Sequence, residues 1–294
     1  MQAVIDIGSN SVLLLVGRRH ADGSLEIVRD ESTVARVSEG AAERGTLSPE
    51  AIERTLAVLR RYRARASADG VEQIQAVATE GLRMASNAAA FLDPAGELLG
   101  SPVRVISGDE EARLSYQSVA REHPDVAPLR VIDIGGASTE LVVGRGLEVE
   151  EAVSHRLGSV RITEQLSDGH PPSPAALARM HAHAREVLAA QPLPAHDRLY
   201  GLAGTVTTVA GIHEGLRSYD RDAVDHTQLG IEELRQLRER LAALDLTELR
   251  KIPLLAAGRA DVVVGGLTIL LAALEHCGAR TLVVRDRGLR YGLL

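Results

Sequence analysis

The chain has 294 residues and 45% hydrophobic content, enough for one large or two medium domains with substantial cores. A formal net charge of −7 argues against bulk electrostatic capture of nucleic acid, and 2% aromatics with no Trp argue against a stacking platform for bases. Cys277 is the single cysteine, which leaves no disulfide framework and no cysteine zinc site. The sequence shows no signal-peptide pattern and no apolar run of membrane-spanning length. A cytoplasmic protein without membrane contact is expected.

The first element, Val4-Ile5-Asp6-Ile7-Gly8-Ser9-Asn10-Ser11, reads as a buried strand and tight turn, followed by a second strand to Gly17. Asp6 lies inside an apolar strand, where a carboxylate is costly unless it meets a cation or good donors. The turn offers backbone N–H groups and hydroxyls that can cradle an oxyanion. Asp6 is therefore a candidate metal ligand, and Gly8, Ser9, Asn10 and Ser11 a candidate phosphate cradle. Leu25 to Arg36 reads as a third strand. Ser48-Pro49-Glu50 starts a helix whose arginines, Arg54, Arg60, Arg61, Arg63 and Arg65, read as a solvated face. Ile74 to Thr79 is a strand, and Thr79 and Arg83 at the following helix start suit an anion. That helix is expected to run through Asn87 and Phe91. After the strand Val103 to Ile106, Ser107 and Glu110 form a capping box, which leaves Glu111 free to face a water.

His123 to Pro128 is the expected linker, giving domains 1–124 and 125–294. The second domain opens on Val131-Ile132-Asp133-Ile134-Gly135-Gly136-Ala137-Ser138, and its second strand closes at Gly144. Shifted onto the first copy, the Val-Ile-Asp-Ile-Gly core, the later serine and the closing glycine coincide. Asp133 is thus a second candidate metal ligand, and Gly135, Gly136, Ala137 and Ser138 a second cradle. The repeat breaks at Glu140, which falls on Leu13. An acid where the other copy keeps leucine suggests that the second copy holds the metal. Leu147 to Leu157 is a third strand. Gly204 and Thr205, after the strand Leu199 to Ala203, form a third small-residue phosphate or nucleotide loop. His181 and His183 are not spaced as ligands, and His226 reads as structural or solvated. Asp261 is expected to cap a very apolar helix to Cys277. Leu282 to Val284 is a last strand before a short final helix.

The matching pieces are Asp6 to Ser11, Thr79 to Asn87, Ile106 to Leu114, Val131 to Leu141, Ala203-Gly-Thr, Arg259-Ala-Asp and Asp286-Arg-Gly-Leu-Arg. In this order they resemble the exopolyphosphatase / guanosine pentaphosphate phosphohydrolase family of the actin-like ATPase superfamily. The resemblance covers almost the whole chain. It implies an α/β fold of two ribonuclease H-like domains, each a mixed five-stranded sheet with helices, around a central cleft; the final helix is expected to pack across it. It implies that Glu111 helps activate water, that Asp133 and Glu140 serve a divalent metal (Mg²⁺ or Mn²⁺), and that both turns and Arg83 hold phosphates. Glu140 is accordingly placed with Glu111 in the catalytic set. Ala137 departs from the family pattern, where glycine is usual. The implied activity is exopolyphosphatase, with guanosine pentaphosphate (pppGpp) 5′-phosphohydrolase as the alternative substrate reading and a homodimer as the expected assembly. An actin-like ATPase or sugar kinase, and a non-catalytic polyphosphate or alarmone sensor, are the readings from other classes.

Overall fold

In a computed structural model the protein is described at every residue except 22, 192–195 and 257, with the backbone alone at 42 and 43. The chain divides into two compact units, Met1–Leu114 with Leu289–Leu294, and Ser115–Gly288. The loop at 123–128 lies inside the second unit.

Unit 1 contains β1 (Gln2–Ile7), β2 (Ser11–Arg19), β3 (Leu25–Val34), α1 (Ala41–Arg44), α2 (Pro49–Ala68), β4 (Ile74–Ala78), α3 (Glu80–Arg83), α4 (Ala89–Leu99), β5 (Val103–Val105) and the start of α5 (Gly108–Ala120). Unit 2 takes the rest of α5, then β6 (Leu129–Ile134), β7 (Thr139–Arg145), β8 (Glu148–His155), α6 (Ser159–Leu166), α7 (Pro174–Leu188), β9 (Arg198–Leu202), α8 (Ala203–His213), α9 (Arg221–Val224), β10 (Gln228–Gly230), α10 (Ile231–Ala242), α11 (Leu246–Leu249), α12 (Val263–Cys277) and β11 (Thr281–Val284). The last helix, α13 (Leu289–Leu293), belongs to unit 1.

The sheets are two copies of one plan. Sheet 1 has the order β3-β2-β1-β4-β5, antiparallel on the β3 side and parallel on the β5 side. Sheet 2 has the order β10-β11-β9-β6-β7-β8, so β8-β7-β6-β9-β11 repeats sheet 1 and β10 is added antiparallel at the edge. The α/β class with two mixed sheets is as the sequence implied. The sixth strand is new: three residues, Gln-Leu-Gly, are too few to show a period-2 pattern. They are held by His226 N–H donating to Val284 O and Val284 N–H to Thr227 O, both at 2.8 Å.

Alternation along the central strands sorts their side chains. Ile5 and Ile7 enter the unit 1 core, which includes Leu56, Leu59 and Tyr62 of α2 and Phe91 of α4. Ile132 and Ile134 enter the unit 2 core with α12, in which every residue except Glu275 and His276 is buried. Asp6 and Asp133 therefore lie on the opposite face of each sheet. In unit 1 that face meets α13, where Arg290 and Tyr291 both donate to Asp30 of β3, Tyr291 Oη at 2.5 Å.

Two local expectations change. The helix expected after Arg83, through Asn87 and Phe91, is interrupted: α3 ends at Arg83 and α4 starts only at Ala89. Asn87 clamps the Leu47 peptide, accepting from its N–H at 2.8 Å and donating to its carbonyl at 3.0 Å, and this draws the intervening residues out of the helix. Asp261 is not the cap of α12; Val262 holds that position, with no side-chain cap.

The closing glycines of the repeat have a shared reason. Both sheets carry a β-bulge there, between Val16 and Gly17 and between Val143 and Gly144. A Cβ on Gly17 would come within 2.5 Å of Glu26 O, and one on Gly144 would collide with Glu148 O and the Tyr116 hydroxyl. Gly144→Ala should lower stability by about 1–3 kcal/mol, the scale of overpacking. Gly96→Ala, inside α4 with only ordinary 3.6 Å contacts, should instead add about 0.5–1 kcal/mol. Urea midpoints moving in opposite directions check both.

Candidate active site

The two turns are fixed by the same device. Gly8 N–H donates to Ser11 O, and Gly135 N–H to Ser138 O, both at 3.0 Å. A Cβ at either glycine would sit 3.2 Å from the same serine oxygen, so close approach selects glycine. In the second turn, Gly135 O accepts from Ser159 N–H, Gly136 O from the N–H groups of Val160 and Arg161, and Ala137 O from Arg161 Nε at 2.9 Å. A trans peptide sends its N–H opposite to its carbonyl. With three successive carbonyls turned towards α6, the N–H groups of Gly136, Ala137 and Ser138 point to the other side, as an anion-binding nest requires. In the first turn, Ser9 O accepts from Ser38, and Asn10 O from Ala35 and Arg36, which turns the N–H groups of Asn10 and Ser11 away from those partners.

Gly158 makes the second arrangement possible, because a Cβ there would strike the Gly136–Ala137 peptide. Ala137 is buried and is not among the residues with positive φ, so its backbone does not call for glycine.

Unit 1 adds a compact ionic group. Glu111, in the first turn of α5, is buried. Arg83 Nη1 lies 3.1 Å from Glu111 Oε2 and donates to Ile106 O at 2.5 Å, while its Nε and Nη2 lie 3.0 and 2.8 Å from Glu80 Oε2. Burial works against the Arg83 charge, but Glu111 and Glu80 hold its pKa above the ordinary value. Ser107 Oγ accepts from Glu110 N–H at 3.1 Å, so the helix is capped without Glu111. Thr79 is the buried N-cap residue of α3. Gly81 brings α3 against the first turn, since a Cβ there would be 2.7 Å from Ser9 Oγ.

Unit 2 places two carboxylates opposite one another. Asp133 and Glu140 are direct cross-strand partners, whereas Asp6 faces Leu13 at the matching position. Glu140 is 1% exposed. Ser154 Oγ donates to its Oε1 at 2.6 Å, and Ser115 Oγ donates to Asp133 Oδ2 at 2.7 Å. Glu140 is buried and Asp133 partly so, and two carboxylates facing one another across strands are a natural place for a cation. Hard oxygen donors with serine partners fit Mg²⁺ or Mn²⁺.

The third loop is built differently. β9 passes directly into α8, so Gly204 and Thr205 lie in the first turn of a helix. Ala203 has φ 68°, a left-handed conformation unusual for alanine and frequent at functional sites. The Arg259 guanidinium fills the place where a Gly204 side chain would be, and Thr205 packs against Gly266 of α12.

The arginines of α2 are engaged locally: Arg60 lies 2.7 Å from Glu53, Arg54 3.0 Å from Glu39, and Arg65 pairs with Glu31.

Another set, Glu122, Asp225 and His226, brings possible ligand atoms within 4.8 Å of one another. Its carboxylates already meet guanidinium groups. Fully buried Arg285 is 2.8 Å from Asp225 and pairs with Glu122, which also pairs with Arg287. Burial raises the Asp225 pKa, but the Arg285 hydrogen bond and charge outweigh it and leave the carboxyl below its ordinary value. A depressed folded-state pKa gives stability above the unfolded value, lost as pH falls through the folded one. Arg285→Met should therefore cost about 3–5 kcal/mol near neutral pH, by leaving the largely covered Asp225 without its guanidinium partner. The deficit should shrink as pH falls below the ordinary carboxylate range, measured by thermal melts across pH.

The model of the Ppx/GppA phosphatase family matches residues 16–294. The crystal structure of the Aquifex aeolicus Ppx/GppA family member is 32% identical, with a TM-score of 0.83 over 99% of this chain and 95% of that one. An exopolyphosphatase-like protein is 28% identical, with a TM-score of 0.92 over 99% and 96%. An exopolyphosphatase from Cytophaga hutchinsonii, 24% identical, shares the fold with a TM-score of 0.89 over 99% and 95%. The chain belongs to the Ppx/GppA phosphatase family.

Proposed function

We propose that the protein is an exopolyphosphatase, releasing the terminal phosphate of inorganic polyphosphate by metal-dependent hydrolysis. One observation carries the reading: the duplicated turn is matched by an acid pair, Asp133 opposite Glu140, in only one copy. A binding module would have no evident use for that asymmetry. The exopolyphosphatase-like neighbour supports the substrate class. Guanosine pentaphosphate is the alternative substrate. The scarcity of aromatic side chains, 2% of the chain, favours the polymer.

The roles divide among named residues. The turns at 8–11 and 135–138 receive phosphoryl oxygens through backbone N–H groups, which are fixed before the substrate arrives. Glu111 orients a water and takes its proton as the oxygen attacks phosphorus; the bond to the remaining chain then breaks. Asp133 and Glu140 would hold the divalent cation, which neutralises charge developing on the oxygens.

Phosphate release from long-chain polyphosphate, guanosine pentaphosphate and ATP, compared side by side with Mg²⁺, tests the reading. Polyphosphate should be turned over fastest; a clear preference for guanosine pentaphosphate would transfer the assignment. Glu111→Gln should lower turnover on the order of 10²–10⁴-fold with polyphosphate binding kept, the usual effect of losing a general base. Glu140→Leu should remain folded and lose metal-dependent hydrolysis, with calorimetry showing loss of Mn²⁺ binding. Parent-like hydrolysis in that variant would remove the metal assignment.

A further inference from the structure

Arg83 is the side chain that sequence would offer to a phosphate, yet its guanidinium is already divided between two acids. The Nε and Nη2 edge, the fork that would hold a phosphate bidentately, rests on Glu80 Oε2 at 3.0 and 2.8 Å. Nη1 is shared by Ile106 O and Glu111 Oε2. Glu80 is itself buried, at the start of α3, and α3 is pressed onto the first turn by Gly81. A buried acid in a four-residue helix beside a phosphate cradle is electrostatically unfavourable for an anionic ligand. Its benefit must lie in what it holds.

We infer that Glu80 is a positioning residue: it anchors Arg83 so that Nη1 fixes the Glu111 carboxylate in its hydrogen-bonding geometry and the guanidinium is withheld from the substrate. The inference rests on the reading of Glu111 as the base. Phosphate recognition then falls to the turn amides, and Arg83 serves the base. Releasing the anchor frees a guanidinium fork next to the cradle and removes a negative charge from it. Affinity for a phosphate chain rises while the base loses its orientation. Binding and turnover thus move in opposite directions, which a merely structural role for Glu80 would not produce.

The test uses Glu80→Gln, nearly isosteric, and Glu80→Ala, with matched melting temperatures required of the Gln variant. Long-chain polyphosphate is titrated calorimetrically without divalent metal, and turnover is measured with Mg²⁺. Binding should tighten several-fold in Glu80→Gln, and more in Glu80→Ala. Turnover should fall by about 10- to 100-fold, the scale of a misplaced reacting group. The double variant Glu80→Gln/Arg83→Ala should erase the gain in affinity. Unchanged binding and turnover would overturn the proposal. So would weaker binding with turnover preserved, which would show that Arg83 grips the substrate from its Glu80 support. If the parent hydrolyses none of the three phosphates but the Glu80 variants still bind more tightly through Arg83, the hydrolytic reading fails and the anchor stands.

Discussion

The orientation of a few peptide planes governs both halves of the molecule. A strand that ends in a Gly/small-residue turn leaves backbone groups that must be paired or solvated. Here neighbouring backbone takes the carbonyls: Ser38, Ala35 and Arg36 in unit 1, and the start of α6 with Arg161 in unit 2. Planarity of the peptide then aims the N–H groups the other way. The rest of each unit supports that orientation. Gly158 and Gly81 allow close approach, and the buried strands behind each turn fix its depth.

The central strands were legible because their chemistry is local. Val-Ile-Asp-Ile-Gly specifies a buried strand with one acid near its end, and two copies specify a duplicated plan. The break in the repeat was also legible: the alignment that sets Glu140 on Leu13 becomes an observed register, with Asp133 facing Glu140 and Asp6 facing Leu13. Sequence spacing also placed Ser48 as the cap of α2, and its Oγ accepts from Ala51 N–H.

Features determined by distant partners were not legible. Nothing near Asn87 says that its side chain will pair with the Leu47 peptide and divide a helix. Ser115 and Ser154 are ordinary serines until folding sets them beside Asp133 and Glu140. The Glu80-Gly-Leu-Arg83 spacing does permit an i,i+3 pair. It does not reveal Glu111 on the other side of the guanidinium, since Glu111 lies on α5. Ala203 looks like an apolar residue closing a strand, and nothing in its neighbours announces the left-handed conformation it takes at the junction of β9 and α8.

With a net charge of −7, a polyanionic substrate of the proposed kind would pose an electrostatic problem for this chain. One solution is a surplus of arginine at the site, but the structure spends its arginines differently. Arg83 is matched by two acids, Arg285 by two, and Arg54, Arg60 and Arg65 of α2 by one each. Free arginines packed closely enough to hold a phosphate chain would repel one another before it arrived. Oriented amides carry partial charge without that repulsion and need no counter-ion in the unliganded protein. In the proposed metal site a divalent cation would have the same advantage, its charge balanced locally by Asp133 and Glu140. On the proposed reading, attraction for a phosphate chain would arise at the turns and at a bound cation, without a surplus of arginine at the site.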